Sequence, residues 1–282
     1  MAGKFARSWN LMKASAAVLR SDKALMMFPL LSGLCCLLVA ASFLIPIGVA
    51  AAGMEHVSRE RLPLGWYVAL FAFYLVQYFV IIFFNTALAG AALQRLRGEE
   101  TSLAAGFAIA KSRVGAIFGY ALIAATVGLF LRALQERLGF VGRIVAGLLG
   151  LAWTVATFLV VPVLASEGTG PVVAVKRSVE LLKRTWGENL IGNAGLGVVF
   201  GLLTFVAVLV AAALVVGAIA TQSMPLIVAA IAVAVVGLTL LALVQASLQG
   251  IYAAALYQYA EEGKVGLGFD QALLEQAFRP KQ

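Results

Sequence analysis

Charged side chains are scarce in this sequence. Asp, Glu, Lys and Arg make up 12% of its 282 residues, against roughly 25% in an ordinary soluble domain. Hydrophobic residues make up 62%, and the mean hydropathy is +0.99. Too few polar side chains remain to cover a water-soluble globule of this size. The composition therefore excludes an ordinary soluble protein and predicts an integral membrane protein.

Residues that usually carry catalysis or bind metals are also few. The single histidine, His56, stands beside Glu55 in a loop, and no other histidine or cysteine lies at zinc-ligand spacing from it. Cys35 and Cys36 are adjacent in the first apolar run and cannot staple the fold. The phosphate-binding pattern G-x-x-x-x-G-K-[ST] does not occur. The sequence therefore predicts neither an enzyme nor a cofactor nor a bound metal.

Six apolar runs are long enough to cross a bilayer, whose hydrocarbon core of about 30 Å needs roughly 20 helical residues. We predict an all-α fold: a polytopic transmembrane helical bundle in one membrane domain, residues 1–282. Pro46 predicts a kink or an early end in the first span, and the tyrosine-rich tail of the last span, residues 249–259, is predicted to project into the interface or water. The predicted spans are residues 25–52, 66–93, 114–131, 144–165, 190–220 and 225–260.

The basic residues are distributed unevenly around these spans. Sixteen of the 21 Lys and Arg residues precede span 1, follow span 6, or lie between spans 2 and 3 or 4 and 5; the other loops hold five. Because cytoplasmic loops carry the excess of positive charge, we expect both termini in the cytoplasm, with residues 263–282 as a tail. The flanking pattern also explains the net charge of +8 without nucleic acid as a partner.

Three amphipathic segments precede spans 1, 3 and 5. Their apolar residues recur every three or four positions, so each predicts a helix lying flat at the cytoplasmic interface with its apolar stripe in the lipid or against the bundle. Thr101 and the pair Gly170–Pro171 predict the starts of the second and third helices. The stripes are Phe5, Trp9, Met12, Ala16 and Leu19; Leu103, Phe107, Ala110 and Val114; and Val172, Val175, Val179, Leu182 and Trp186.

The order of one short helix and two spans occurs three times, over residues 1–98, 99–168 and 169–262. The first and third units share a local match, R-S-W-N-L-M-K at 7–13 beside R-S-V-E-L-L-K at 177–183. Repeats are common in membrane folds. We therefore hypothesise a threefold internal repeat.

The spans contain amides and hydroxyls but no Asp or Glu near their middles, which argues against ion-coupled transport. One interpretation of the polar residues is interhelical hydrogen bonding, which we favour. The alternative is the lining of a passive pore. The candidates for this intramembrane polar site are Asn85, Thr86, Thr157 and Gln245.

The segment between spans 4 and 5 carries the densest group of basic residues. One interpretation is a solvated face with local ion pairs, in which Glu167 forms a structural ion pair. The other is recognition of anionic lipid headgroups or a protein partner by the basic face, with tryptophans at the interface. The candidate contact residues are Lys176, Arg177, Lys183, Arg184, Trp9 and Trp186.

A series of short motifs runs along the chain. The motifs are Ser8-Trp9, Asp22, Phe28-Pro29, Phe84-Asn85-Thr86-Ala87-Leu88, Trp153, Val161-Pro162-Val163, Glu167, Lys176-Arg177-Ser178 and Trp186-Gly187-Glu188. In these motifs the chain resembles an uncharacterised family of bacterial and archaeal integral membrane proteins, a domain of unknown function. The third unit is similar, more distantly, to membrane domains that accompany bacterial glycerophosphodiesterases, whose hydrolase part has no counterpart here. The resemblance implies a multi-pass protein of the bacterial inner membrane and implies no activity.

Two functional hypotheses follow. The leading one is a non-enzymatic membrane bundle that acts through lipid or protein contacts of its basic interfacial helices, with membrane lipids, anionic ones included, as partners. The alternative is a passive channel or facilitator, formed by the bundle or by its homo-oligomer.

Overall fold

The computed structural model describes the backbone of residues 2–52, 64–186, 195–263 and 266. Side chains are described over 12–46, 48, 65–183, 200–263 and 266. The predictions for His56, for the side chains of Trp9, Arg184 and Trp186, and for the tail beyond Gly266 lie outside these residues. All regular structure in the described ranges is helical.

The described helices follow the predicted order closely. Each short helix precedes two long ones, and a 3₁₀ turn over Lys23–Met26 opens the first span. The α-helices are α1 (Ala2–Ser21), α2 (Met27–Ala52), α3 (Leu64–Leu96), α4 (Leu103–Ser112), α5 (Val114–Arg137), α6 (Gly139–Ala156), α7 (Val160–Glu167), α8 (Pro171–Trp186), α9 (Gly195–Ala220) and α10 (Met224–Glu262).

Six stretches of the described chain are long and apolar enough to cross a membrane. They cover Lys23–Pro46, Gly65–Leu96, Val114–Arg137, Gly139–Glu167, Phe200–Ala220 and Met224–Glu262. The all-α class and the six candidate spans are therefore confirmed, and the chain is a multi-pass membrane protein.

Two local predictions need correction. Pro46 does not end the first span early, because α2 continues to Ala52, whereas the alternative of a kink at Pro46 stays a prediction. In lipid the backbone is satisfied only inside a helix, so continuing past one proline costs less than stopping. Thr101 does not cap α4. The Ser102 hydroxyl accepts the Ala105 N–H at 3.1 Å instead, because the Thr101 hydroxyl is hydrogen-bonded to Asp22.

The tail of the last span, residues 249–259, packs against the rest of the bundle, and its position at the interface or in water stays a prediction. Ile251, Leu256 and Tyr257 are buried, and α10 packs along α3 at this end. A Cβ at Gly250 would come within 2.5 Å of the Leu88 Cδ2 atom, so the glycine permits this close approach. This segment also contains small residues that face the core, a pattern that its polar residues obscured in the sequence.

The core lies at one end of the bundle. Side chains of α3 are buried mostly from Ile82 onward and those of α10 mostly from Ser247 onward, whereas no described side chain of α9 is buried. The exposed apolar surface at the other end is the kind that lipid covers. The largest fully buried side chains are Phe28, Leu25, Leu88, Ile117, Leu159, Leu164, Leu181, Ile251 and Leu256.

The short helices pack in a regular way. Each packs on the C-terminal helix of one of the three predicted units: α4 on α3, α8 on α7 and α1 on α10. In α4 the predicted stripe faces the core, with the Phe107 ring 5.3 Å from the Phe28 ring. A Cβ at Gly106 would come within 2.9 Å of the Ala87 carbonyl oxygen. The threefold repeat stays a prediction, as do the unit boundaries.

The buried face of α8 differs from its predicted stripe. Ala174, Ser178 and Leu181 are fully buried, whereas Val172 is 56% exposed. Small side chains at 174 and 178 let α8 approach the backbone of span 4 closely. The close packing gained in this way outweighs the burial of the larger Val172 side chain. The spacing of apolar residues therefore predicted the helix α8 correctly, but it predicted only part of the face that is buried.

Candidate functional site

The four segments predicted to be cytoplasmic meet at one end of the bundle. The Arg97 guanidinium after α3 is 2.5 Å from a carboxylate oxygen of Glu262 at the end of α10. Asp22, after α1, is bonded to the Thr101 hydroxyl before α4. Arg95 donates to the Ser21 hydroxyl at 3.2 Å. The described helices therefore alternate as the charge pattern requires.

Arg177 on α8 is the most connected charge of this end. Its Nη2 donates to both carboxylate oxygens of Glu261, at 2.6 and 2.7 Å. Its Nε is 3.5 Å from Glu167 Oε1, and its Nη1 is 3.5 Å from Glu180 Oε2. The hydrogen bond with Glu261 raises the pKa of Arg177. The guanidinium thereby ties α8 to α10 and to the end of α7.

Glu167, the residue proposed for a structural ion pair, closes α7. Besides facing Arg177, its Oε1 accepts the Tyr257 hydroxyl at 3.1 Å. Gly168 then turns the chain with φ +64°, a conformation that glycine adopts at little cost. The helices α7 and α8 are thus joined by the tight turn at Gly168 and by the ion pair between Glu167 and Arg177.

These pairs leave a basic face on α8. Lys176 and Lys183 are exposed, and neither forms a hydrogen bond or an ion pair with another described residue. Val172 and Val173 are exposed on the same side, at 56% and 53%. Positions 172, 173, 176 and 183 fall within about 100° of each other around an α-helix. We call these four residues the lysine face.

Arg113, between α4 and α5, packs against the turn before α8. A Cβ at Gly168 would lie 2.0 Å from Arg113 Nη1. The Nε atom of Arg113 and the hydroxyl of Thr169 are buried without a hydrogen-bond partner among the described residues. Gly168 is therefore required for two reasons: its backbone has a positive φ, and Arg113 leaves no space for a side chain.

The intramembrane candidates are bonded to different neighbours. Thr86 is fully buried and donates to the Ile82 carbonyl of its own helix at 2.8 Å. Gln245 donates to the Thr204 hydroxyl of α9 at 3.0 Å. No hydrogen bond joins two of the four candidates within the described ranges.

The other two candidates differ from each other. Thr157 donates to the Trp153 carbonyl of its own span at 2.8 Å. Asn85 is half-buried and makes no hydrogen bond to another described residue. Within the same ranges, no group of three His, Cys, Asp or Glu side chains could hold a metal ion.

Sequence reasoning missed several members of this end. Glu261 and Glu262 close the last apolar run, and Tyr257 precedes them by one helical turn. Paired carboxylates after a long apolar helix are a usable signal, because at an interface they require cations from another segment. Ser178 is buried on α8 and donates to the Ala156 carbonyl of span 4 at 2.7 Å, a contact that the sequence did not indicate.

One comparison with known protein families covers most of the helical bundle, from α3 onward. A family of unknown function, DUF6159, matches residues 64–269. The chain belongs to this family. The match begins with α3 and includes α10, so the DUF6159 region contains Arg177, Glu167, Glu261 and the lysine face. It confirms the resemblance to an uncharacterised family.

The comparison with curated proteins indicates no activity for this chain. No curated protein matches the chain. The similarity of the third unit to membrane domains of glycerophosphodiesterases receives no support from the DUF6159 match and stays a prediction. Function must therefore be argued from the geometry.

Proposed function

We propose that this DUF6159 protein is a non-enzymatic protein of the bacterial inner membrane whose lysine face binds anionic lipid headgroups on the cytoplasmic side. The observation that carries the proposal is the exposure of Lys176 and Lys183 beside two exposed valines, on a helix at the basic end of the bundle. Valines suit the acyl boundary and lysines suit phosphates above it.

The ion pairs of Arg177 show which charges reach the membrane surface. Glu167, Glu180 and Glu261 all face this guanidinium, whose single positive charge offsets one of their three negative charges. Glu167 and Glu261 are only 23% and 30% exposed, whereas Lys176 and Lys183 are exposed on the lysine face and are placed to meet the lipid surface. Each such cation near an anionic leaflet contributes about 1 kcal/mol. Arg184 and Trp186 continue α8 in sequence and complete the proposed contact, with Trp9 on α1.

The test uses the full chain in nanodiscs of phosphatidylcholine with phosphatidylglycerol as the anionic lipid. Spin-labelled lipids report which headgroup is enriched in the layer that contacts the protein. We expect enrichment of phosphatidylglycerol around the native chain, and a several-fold loss in Lys176→Gln/Lys183→Gln. Lys176→Arg/Lys183→Arg retains the charge and should retain the enrichment.

The control for this experiment lies at the opposite end of the bundle. Arg143 is exposed in the first turn of α6, with its guanidinium 6.0 Å from the Phe140 ring centroid. Arg143→Gln removes one cation there and should leave phosphatidylglycerol enrichment unchanged. Equal enrichment of both lipids around the native chain, or an equal loss in the Arg143 variant, would contradict the proposal.

The second candidate, a passive channel formed by the bundle or a homo-oligomer, is tested in parallel. Its support is the half-buried amide of Asn85, which has no described hydrogen-bond partner and is free to face a solute. Solute flux into vesicles that disappears with Asn85→Leu would favour it. Absence of flux with intact lipid enrichment would favour the lysine face.

A further inference from the structure

Span 4 is interrupted at a defined place. α6 ends at Ala156 and α7 begins at Val160, with a turn over residues 157–159. Pro162 is one cause, because it has no N–H for the Phe158 carbonyl and its ring would collide with that carbonyl in a continuous helix. The Val160 N–H therefore bonds the Thr157 carbonyl at 3.1 Å, which leaves the Ala156 carbonyl and the Leu159 N–H free.

One hydroxyl satisfies both of these backbone groups. Ser178 Oγ donates to the Ala156 carbonyl at 2.7 Å and accepts the Leu159 N–H at 3.1 Å. Ser178 has 0% exposure, so water does not replace it. In such a place each unsatisfied backbone group is costly. The interruption of span 4 and the docking of α8 therefore depend on each other.

α8 also holds the other end of α7. Arg177, next to Ser178, faces Glu167 at the last residue of α7. α7 and α8 are thus joined at the start of α7 by Ser178 and at its end by Arg177. Much of α6, by contrast, is open to its surroundings, with Leu148 64% and Leu151 65% exposed. The turn over 157–159 therefore lies between α7, which is bonded to α8 at both ends, and α6, which has fewer contacts with the rest of the bundle.

We propose that Ser178 is a conformational latch. While α8 is docked, the Ser178 hydroxyl holds the turn that Pro162 imposes on span 4; when α8 leaves, the Ala156 carbonyl and the Leu159 N–H lose this partner, the turn over 157–159 loosens, and α6 pivots relative to α8. Position 178 is about 200° around the helix from position 176, so the lysine face and the latch lie on opposite sides of α8. The latch itself does not depend on lipid binding.

The test measures the distance between α6 and α8 by electron–electron resonance in nanodiscs. Nitroxides are attached through Leu148→Cys and Val173→Cys, both exposed sites, in a Cys35→Ser/Cys36→Ser background. The native latch predicts one narrow distance distribution. Ser178→Ala should broaden or shift it, and hydrogen exchange of the peptide over 157–161 should rise roughly tenfold or more.

A matched control and a second variant make the result decisive. Thr154 lies in the same span, and its hydroxyl bonds only its own helix, to the Gly150 carbonyl at 2.9 Å; Thr154→Val should change neither measurement. Pro162→Ala restores the missing N–H, and should shift the distances even if Ser178→Ala fails to fold. Unchanged distances and exchange in both Ser178→Ala and Pro162→Ala overturn the latch.

Changing the lipid composition of the nanodisc distinguishes the latch from the lipid proposal. The same distances are measured with and without phosphatidylglycerol in the nanodisc. A distribution that responds to Ser178→Ala in both lipid compositions supports the latch, whatever the enrichment of phosphatidylglycerol around the chain. A distribution that is the same in the native chain and in Ser178→Ala with either composition overturns the latch and leaves the lipid proposal to the enrichment measurement.

Discussion

The contact between Arg177 and Glu261 should be the strongest ion pair of the described bundle. Arg177→Met removes the guanidinium while keeping an unbranched side chain, and Glu261→Gln removes the carboxylate charge while keeping its shape. The two single variants and the double variant form a cycle that isolates the pair from its neighbours.

The magnitude follows from geometry and exposure. Two short hydrogen bonds, at 2.6 and 2.7 Å, join charged groups, and bonds to charged groups are typically worth about 1.5–3 kcal/mol. The side chains are 27% and 30% exposed, so solvent screens part of this. We therefore expect a coupling energy of about 1–2 kcal/mol. Arg177→Met alone should cost about 2–3 kcal/mol, because Glu167 also loses its cation.

The assay is reversible unfolding in mixed micelles, titrated with SDS and followed by tryptophan fluorescence. Arg132 and Glu136 supply a matched control pair: they are 2.9 Å apart, four residues apart on one helix, and 54% and 64% exposed. That pair should couple by less than about 0.5 kcal/mol. A cycle for Arg177 and Glu261 no larger than this control would refute the reasoning.

Three further variants test packing and hydrogen bonding by the same unfolding assay. Gly168→Ala should cost at least about 1–2 kcal/mol, because φ +64° disfavours a side chain and the new methyl group meets Arg113; a neutral result contradicts the turn. Gln245→Leu should cost about 0.6 kcal/mol through the lost bond to Thr204, and a stabilised variant would argue against that bond. Gly115→Ala, with open space at its Cβ, should be neutral or slightly stabilising, so a clear loss would show an unrecognised close neighbour.

The sequence was sufficient for the helices because their causes are local. Long apolar runs bounded by charges predicted the six candidate spans, and Pro171 after Gly170 predicted the start of α8. The charge asymmetry predicted which segments share one end of the bundle. Each of these signals depends on residues close in the chain or on simple counts, and the contact between Arg97 and Glu262 agrees with it.

The sequence was insufficient where distant residues compete. The tail over 249–259 is polar by composition, yet Gly250 and its small neighbours pack against α3. Thr101 is a good helix cap by type, yet Asp22 from another segment binds its hydroxyl. Ser178 bonds a backbone interruption that becomes evident only once Pro162 and α8 are seen together. Such features depend on which segments meet in space.

The depth of α8 in the bilayer tests the account most directly. Nitroxides at Val173→Cys and Glu180→Cys, in the Cys35→Ser/Cys36→Ser background, are compared with one at Leu209→Cys on α9 by their collisions with oxygen and with a water-soluble nickel complex. We predict headgroup depth for the two α8 labels, with contact to both reagents, and a deep position for Leu209. Full access to nickel with no oxygen enrichment at both α8 positions would place the lysine face in water and contradict the account.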